Sequence, residues 1–147
     1  MRAPISPADA VQLNEFSVST PSARRVLVID DDRDVADSLA MLLDVLGCDV
    51  RTAYCGAVGV SLVSDFHPRI VFLDLGMPEM NGYETARRIR SAPAGQQAQL
   101  IALSGWAQDV DKMRTREAGF DRHLVKPADI DVLEEILAAC GDESQQK

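Results

Sequence analysis

The chain has 147 residues, 46% of them hydrophobic and 26% charged, and carries a formal net charge of −8. That length suits one domain with an ordinary core and leaves little for a second. The acidic balance, with no basic stripe, excludes direct nucleic-acid binding as an expectation, and no apolar run reaches the roughly 20 residues of a membrane-spanning helix.

Residues 1–23 are dominated by Ser, Thr, Pro, Ala and Gln and are expected to form a flexible arm. Residues 24–141 read as one domain of alternating strands and helices, and the polar residues 142–147 as a disordered tail. The first strand is expected over 25–30. Val35, Leu39, Leu42, Leu43 and Leu46 then recur at helical spacing, with Gly47 as the stop. A second strand is expected over 49–54. A helix over 57–66 should bury Val58, Leu62 and Phe66, although Gly59, Ser61 and Ser64 give it poor propensity. The third strand spans 69–74, and a loop with Gly76, Pro78 and Gly82 follows. Asn81, with Glu84 three residues on, suits the start of the third helix. The fourth strand covers 99–104, the fourth helix 107–118 with Gly119 ending it, and the fifth strand 121–125. Asp129 caps a last helix that should bury Ile130, Leu133, Ile136, Leu137 and Cys140 before Gly141.

Strands alternating with helices imply an α/β, doubly wound parallel sheet with helices on both faces. Ligands of such sheets bind at the carboxyl ends of the strands. Here those ends carry Asp30-Asp31-Asp32, Asp74, Ser104 and Lys126-Pro127. Carboxylates held this close repel one another unless a cation sits among them, and oxygen ligands suit Mg²⁺. Taken alone, the acidic run also suits capping of the first helix, and both readings stand. Asp74 differs, because it ends an apolar strand and precedes a glycine-containing loop. A carboxylate there can attack phosphorus without a base. Mg²⁺ would neutralise one side of the phosphoryl group, Lys126 the other, and the Ser104 hydroxyl would serve a third oxygen.

Cys48, Cys55 and Cys140 are an odd set without metal spacing and read as reduced thiols. With no signal-peptide core at the amino terminus, a cytoplasmic protein with no membrane association is expected.

The segments VLVIDDD, IVFLDLGMPEMNGYE, LIALSGWAQ and AGFDRHLVKP resemble the response-regulator receiver domain of two-component signalling, and the likeness runs from Arg25 to Gly141. The loop and the LVKP segment are similar to receivers of hybrid histidine kinases. The resemblance implies a flavodoxin-like, five-stranded sheet of order 2-1-3-4-5. It implies Asp74 as phosphoacceptor, Asp30 and Asp31 as metal-site acids, Gly76 as a backbone-carbonyl ligand, and Ser104 and Lys126 as phosphate-binding groups. Asp32 falls where the family varies. The donor would be a sensor histidine kinase or a histidine phosphotransfer protein. The domain would promote its own phosphorylation and slow dephosphorylation rather than act as an enzyme on another substrate. Signalling would run through helix 4, strand 5 and helix 5, with phosphorylation-dependent homodimerisation among the expected outcomes. The Lys126-Pro127 bond is expected to be cis.

Two positions depart from the family pattern. His123 stands where many receivers place Tyr or Phe, as a switch coupled to Ser104; it either swings inward likewise or lines an edge strand. Trp106 either lies over the phosphate or faces a partner. No effector module follows residue 141, so a docking receiver or a relay is expected.

Other readings fit less well. A haloacid-dehalogenase-type phosphatase would resemble Asp-x-Asp at the nucleophile, whereas this chain has Asp74-Leu75-Gly76. A dinucleotide fold needs glycines where Asp31-Asp32-Arg33 stand. The alternative of a different class is a phosphorylation-independent receiver-like interaction module.

Overall fold

The computed structural model describes residues 24–77, 80–105 and 112–144. Trp106, the expected start of the fourth helix, and the amino-terminal arm lie outside these. In chain order come β1 (Arg25–Ile29), α1 (Arg33–Val45), β2 (Asp49–Ala53), α2 (Gly56–Phe66) and β3 (Ile70–Asp74). After them come α3 (Gly82–Ser91), a 3₁₀ turn (Pro93–Gly95), β4 (Gln99–Ser104), α4 (Lys112–Ala118), β5 (Arg122–Val125) and α5 (Ile130–Ser144). The strands form one parallel sheet of order β2-β1-β3-β4-β5. This is the expected architecture, with strand ends differing by about one residue, as ladder ends do.

The continuous apolar runs become the central strands because both faces of the sheet are covered. Every residue of β3 is buried, as are four of the five in β1. On one face Val26, Val28, Phe72 and Leu103 meet Leu39 and Leu43 of α1 and Leu133, Ile136 and Leu137 of α5. On the other, Leu27, Ile29, Leu73 and Ala102 meet Val63 of α2, Ala86 and Ile89 of α3 and Ala118 of α4.

Local signals set the helix ends. Asp32 caps α1, its side chain accepting from the Val35 N–H, and Asn81 caps α3 through the Glu84 N–H at 2.9 Å. Gly47 and Gly119 follow α1 and α4 with φ of 97° and 106°, the left-handed region in which glycine is favoured.

Two helix readings need correction. In α2 the buried face is Gly56, Gly59, Val63 and Phe66, while Val58 is exposed. The helix lies so close to β1 that a side chain at position 59 would collide with Ile29 Cδ1, so the glycines form the contact. In α5, Ile130 is exposed because it sits in the first turn, ahead of the stripe that reaches the sheet. That helix also runs past Gly141 to Ser144, so residues 142–144 are helical rather than part of a tail. A lone interior glycine weakens a helix by about 1 kcal/mol without ending it.

Candidate functional site

The parallel sheet brings the ends of β1, β3, β4 and β5 to one edge. Asp30 follows the last residue of β1, and its backbone N–H still donates to Ala53 O at 3.0 Å. That bond turns the side chain inward, and Asp30 is fully buried. Its Oδ1 accepts from the Asp32 N–H at 3.0 Å, and its Oδ2 lies 3.0 Å from Lys126 Nζ. Asp31 is exposed. Asp74, the last residue of β3, is 5% exposed. Its Oδ1 accepts from the Gly76 N–H at 3.2 Å and lies 3.1 Å from Lys126 Nζ. No described residue donates to its Oδ2.

The loop after Asp74 is drawn tight. The Gly82 N–H donates to Leu75 O at 3.2 Å, and a side chain at position 82 would strike the Asp74 carbonyl. Only glycine permits that approach. Thus α3 begins directly beneath Asp74, and Gly76 holds its backbone beside the same carboxylate.

One carboxylate oxygen from each of Asp30, Asp31 and Asp74 can be chosen so that all lie within 4.8 Å of one another. Three acids surround one ammonium, so the cluster keeps an excess of negative charge. A hard divalent cation with oxygen ligands fits that donor set. Mg²⁺ would take carboxylates from these three residues. Burial depresses the Lys126 pKa, but the hydrogen bond it donates to Asp30 and the charges of Asp74 and Asp30 outweigh it, and the net shift is upward. Lys126 therefore remains a cation throughout the physiological range.

Ser104 closes the site from β4. It is 5% exposed, and its Oγ lies 2.8 Å from His123 Nε2. The ring of His123 thus already reaches the hydroxyl in this conformation. The Lys126 N–H donates to Ser104 O at 2.8 Å, which carries β5 pairing on to the lysine. The Lys126-Pro127 peptide is cis, as expected.

All the residues singled out at the strand ends thus meet at one edge. Sequence reasoning missed the direct Asp30–Lys126 bond, which joins residues 96 apart in the chain. It also missed Arg90, which orders the opposite edge. A cleft of about 1250 Å³ lies at that other edge, against Arg69, Arg90 and Gln96, and contains none of the groups above.

Known proteins share the family and the fold of this chain. The family model described as "response regulator receiver domain" matches residues 26–138. Protein PilG of Pseudomonas aeruginosa is 36% identical over 115 residues, covering 78% of this chain and 83% of that protein. A CheY-like receiver domain from Methylobacillus flagellatus superposes with a TM-score of 0.74 at 29% identity, covering 81% of this chain and 99% of that one. The receiver domain of a Pseudomonas aeruginosa sensor histidine kinase gives a TM-score of 0.74 at 25% identity, over 81% of this chain and 98% of that one. Its structure contains a magnesium ion coordinated in the active-site cleft.

Proposed function

The chain belongs to the response regulator receiver family, and from that premise we propose that it accepts a phosphoryl group on Asp74 in a Mg²⁺-dependent step. The observation that carries this reading is the Asp74 carboxylate itself. One oxygen is held by Lys126 and the Gly76 N–H, and the other takes no hydrogen bond from a described residue. The second oxygen is the nucleophile. It attacks phosphorus as the bond to the donor nitrogen or oxygen breaks, and Asp74 needs no base because it is already ionised at neutral pH.

Mg²⁺, when bound, supplies charge neutralisation for the transferring group. Asp30 and Asp31 would hold it by their negative charge, and Gly76 would offer its backbone carbonyl. Lys126, a compact cation held beside Asp74, would add positive charge for the phosphoryl oxygens. Ser104 offers its hydroxyl to a third phosphoryl oxygen, and with His123 it links the site to β5. Output then runs through the face formed by α4, β5 and α5, where Met113, Val125 and Ile130 are exposed.

The phosphoryl donor is a phosphohistidine of a sensor histidine kinase or a histidine phosphotransfer protein in the cytoplasm. An apolar groove of about 460 Å³ between Leu39 and Leu42 of α1 and Pro127 and Ala128 opens beside Lys126. It suits a donor helix that must bring its histidine to Asp74. The domain catalyses its own phosphorylation and slow dephosphorylation. The test is labelling by acetyl phosphate with Mg²⁺ or with EDTA. Wild type should label only with Mg²⁺, and Asp74→Asn should not label; equal labelling of the variant would refute the assignment.

A further inference from the structure

The amino-terminal edge of the sheet, opposite Asp74, gathers positive charge in a chain whose net charge is −8. Arg25 and Arg69 stand side by side one step before the Val26–Ile70 pair, and the Arg69 N–H donates to Arg25 O at 2.8 Å. Arg51 is opposite Leu27 in the β1–β2 register, on the same face as Arg25. Phe66 of α2 holds both: the Arg51 guanidinium carbon lies 4.5 Å from the ring centroid and that of Arg25 5.9 Å. Arg69 and Arg116 line the cleft of about 1250 Å³ at this edge. All four arginines are exposed. They come from β1, β2, α4 and the residue before β3, so no run of the sequence displays them together.

Like charges side by side on neighbouring strands cost stability. Among the described residues, Arg25, Arg51 and Arg116 form no ion pair with a carboxylate that would relieve it. Asp49 stands opposite Arg25 in the register, yet the Arg25 Nε donates to the His67 carbonyl at 3.3 Å instead. Asp121, which also lines the cleft, is engaged by Arg90 at 2.8 Å. Arg90 fixes the walls, bonding the carbonyls of Gly95, Gln96 and Ala98 on one side and of Gly119 on the other. The result is a rigid cleft with exposed guanidiniums and the exposed amides of Gln96 and Gln97.

We propose that this edge is a docking surface for an extended acidic segment of a partner protein. Carboxylates of the segment meet the guanidiniums, whose planar forks match them bidentately. The glutamine amides both donate and accept, and so serve the segment's backbone. The cleft exceeds the roughly 300–1,000 Å³ of an ordinary small-molecule site. A nucleic-acid strand fits less well, because its bases stack on exposed rings, whereas Phe66 and Phe120 are only 6% and 7% exposed. The net charge of −8 also repels a long phosphate chain. A segment anchored here leaves the Asp74 edge open to its phosphoryl donor.

The experiment titrates the ¹⁵N-labelled whole chain with an octaglutamate peptide at low ionic strength and follows the backbone amide shifts. Shifts should concentrate at Arg51, Arg69, Gln97 and Gly119 and spare Asp30 and Asp74. Arg25→Gln/Arg51→Gln should weaken binding about tenfold, the size expected for two lost charge-assisted contacts at an exposed site. Arg116→Gln, which loses no ring contact among the described residues, should weaken it about threefold. Arg87→Gln/Arg88→Gln removes the same charge from α3, where both arginines pair with Glu84. That control should cost less than about twofold, since it acts only through the long-range field. A thymidine oligonucleotide of matched charge should bind more weakly than the peptide. No peptide binding, shifts centred on Asp74, equal affinities of the two double variants, or tighter binding of the oligonucleotide would each overturn the proposal.

Discussion

Two cations, one at each edge of the sheet, are almost equally covered: the side chain of Arg90 is 23% exposed and that of Lys126 22%. Their bonding is opposite in kind. The Arg90 guanidinium donates to the carbonyls of Gly95, Gln96, Ala98 and Gly119 and to Asp121 Oδ2, at 2.7 to 3.1 Å. Asp121 in turn accepts from the Leu100 N–H at 2.9 Å. The planar fork therefore clamps the α3–β4 connection to the α4–β5 corner, against backbone that cannot move independently. Among the described residues, the Lys126 ammonium pairs with two side-chain carboxylates, Asp30 Oδ2 at 3.0 Å and Asp74 Oδ1 at 3.1 Å. On the proposed reading, an ammonium on a flexible stem turns from Asp30 to a phosphoryl oxygen only when a divalent cation supplies the counter-charge that the buried carboxylate needs. Equal burial thus covers two kinds of bonding: Arg90 is spread over backbone carbonyls, whereas the Lys126 ammonium meets the two carboxylates of the proposed phosphoryl site.

The sharpest way to break this comparison is to remove each cation with and without Mg²⁺. Arg90→Ala should cost about 3 kcal/mol, because several partly buried carbonyls lose a charged donor at once. The loss should be the same in EDTA and in Mg²⁺. A cost below about 1 kcal/mol by denaturant titration, or one that Mg²⁺ reverses, would show that Arg90 is not the clamp described.

Lys126→Met should cost less, about 2 kcal/mol in EDTA, by leaving the buried Asp30 and its neighbours without a counter-charge. Saturating Mg²⁺ should restore most of that stability, since a divalent cation supplies the missing charge. A deficit that Mg²⁺ leaves untouched would place Lys126 with Arg90 as a structural group.

Asp31→Asn should act in the other direction. Removing one of three clustered carboxylates should stabilise the metal-free protein by about 1 kcal/mol. Mg²⁺ should then raise the melting temperature of the wild type more than that of the variant. Equal Mg²⁺ responses would mean that Asp31 does not share the cation.

The smallest effect is in pH. The folded pKa of Lys126 is raised above its ordinary 10.5. Stability contributed by such a group is fully present below the unfolded pKa and is lost as pH rises through the folded one. In EDTA, the stability difference between wild type and Lys126→Met should hold steady from neutrality to about pH 10 and shrink only beyond it. A difference that fades between about pH 7 and 9 would require a lowered pKa instead.

The sequence was most legible where one residue acts locally or where burial is complete. Strands covered on both faces appear as unbroken apolar runs, and so Ile70 through Leu73 pointed directly to Asp74. Caps such as Asp32 and Asn81 act within three residues of their partners. The face of α2 was illegible because its contact with β1 is made by Gly59, and hydrophobic periodicity counts large side chains rather than the absence of one. Arg90 was illegible because its acceptors are mostly backbone carbonyls, reaching from Gly95 to Gly119, which carry no residue signature. The strand-end residues were legible as a set, but their pairing was not. That Lys126 bridges Asp30 and Asp74, and that His123 already meets Ser104, follows from register and side-chain reach.

The central claim is that Asp74, and neither Asp30 nor Asp31, takes the phosphoryl group. Borohydride reduces an acyl phosphate to an alcohol and so marks the phosphorylated aspartate as homoserine. After acetyl phosphate and Mg²⁺ treatment, peptide mapping should find homoserine at position 74 alone, and none when EDTA replaces Mg²⁺. Homoserine at position 30 or 31, or at no position despite Mg²⁺, would contradict the account.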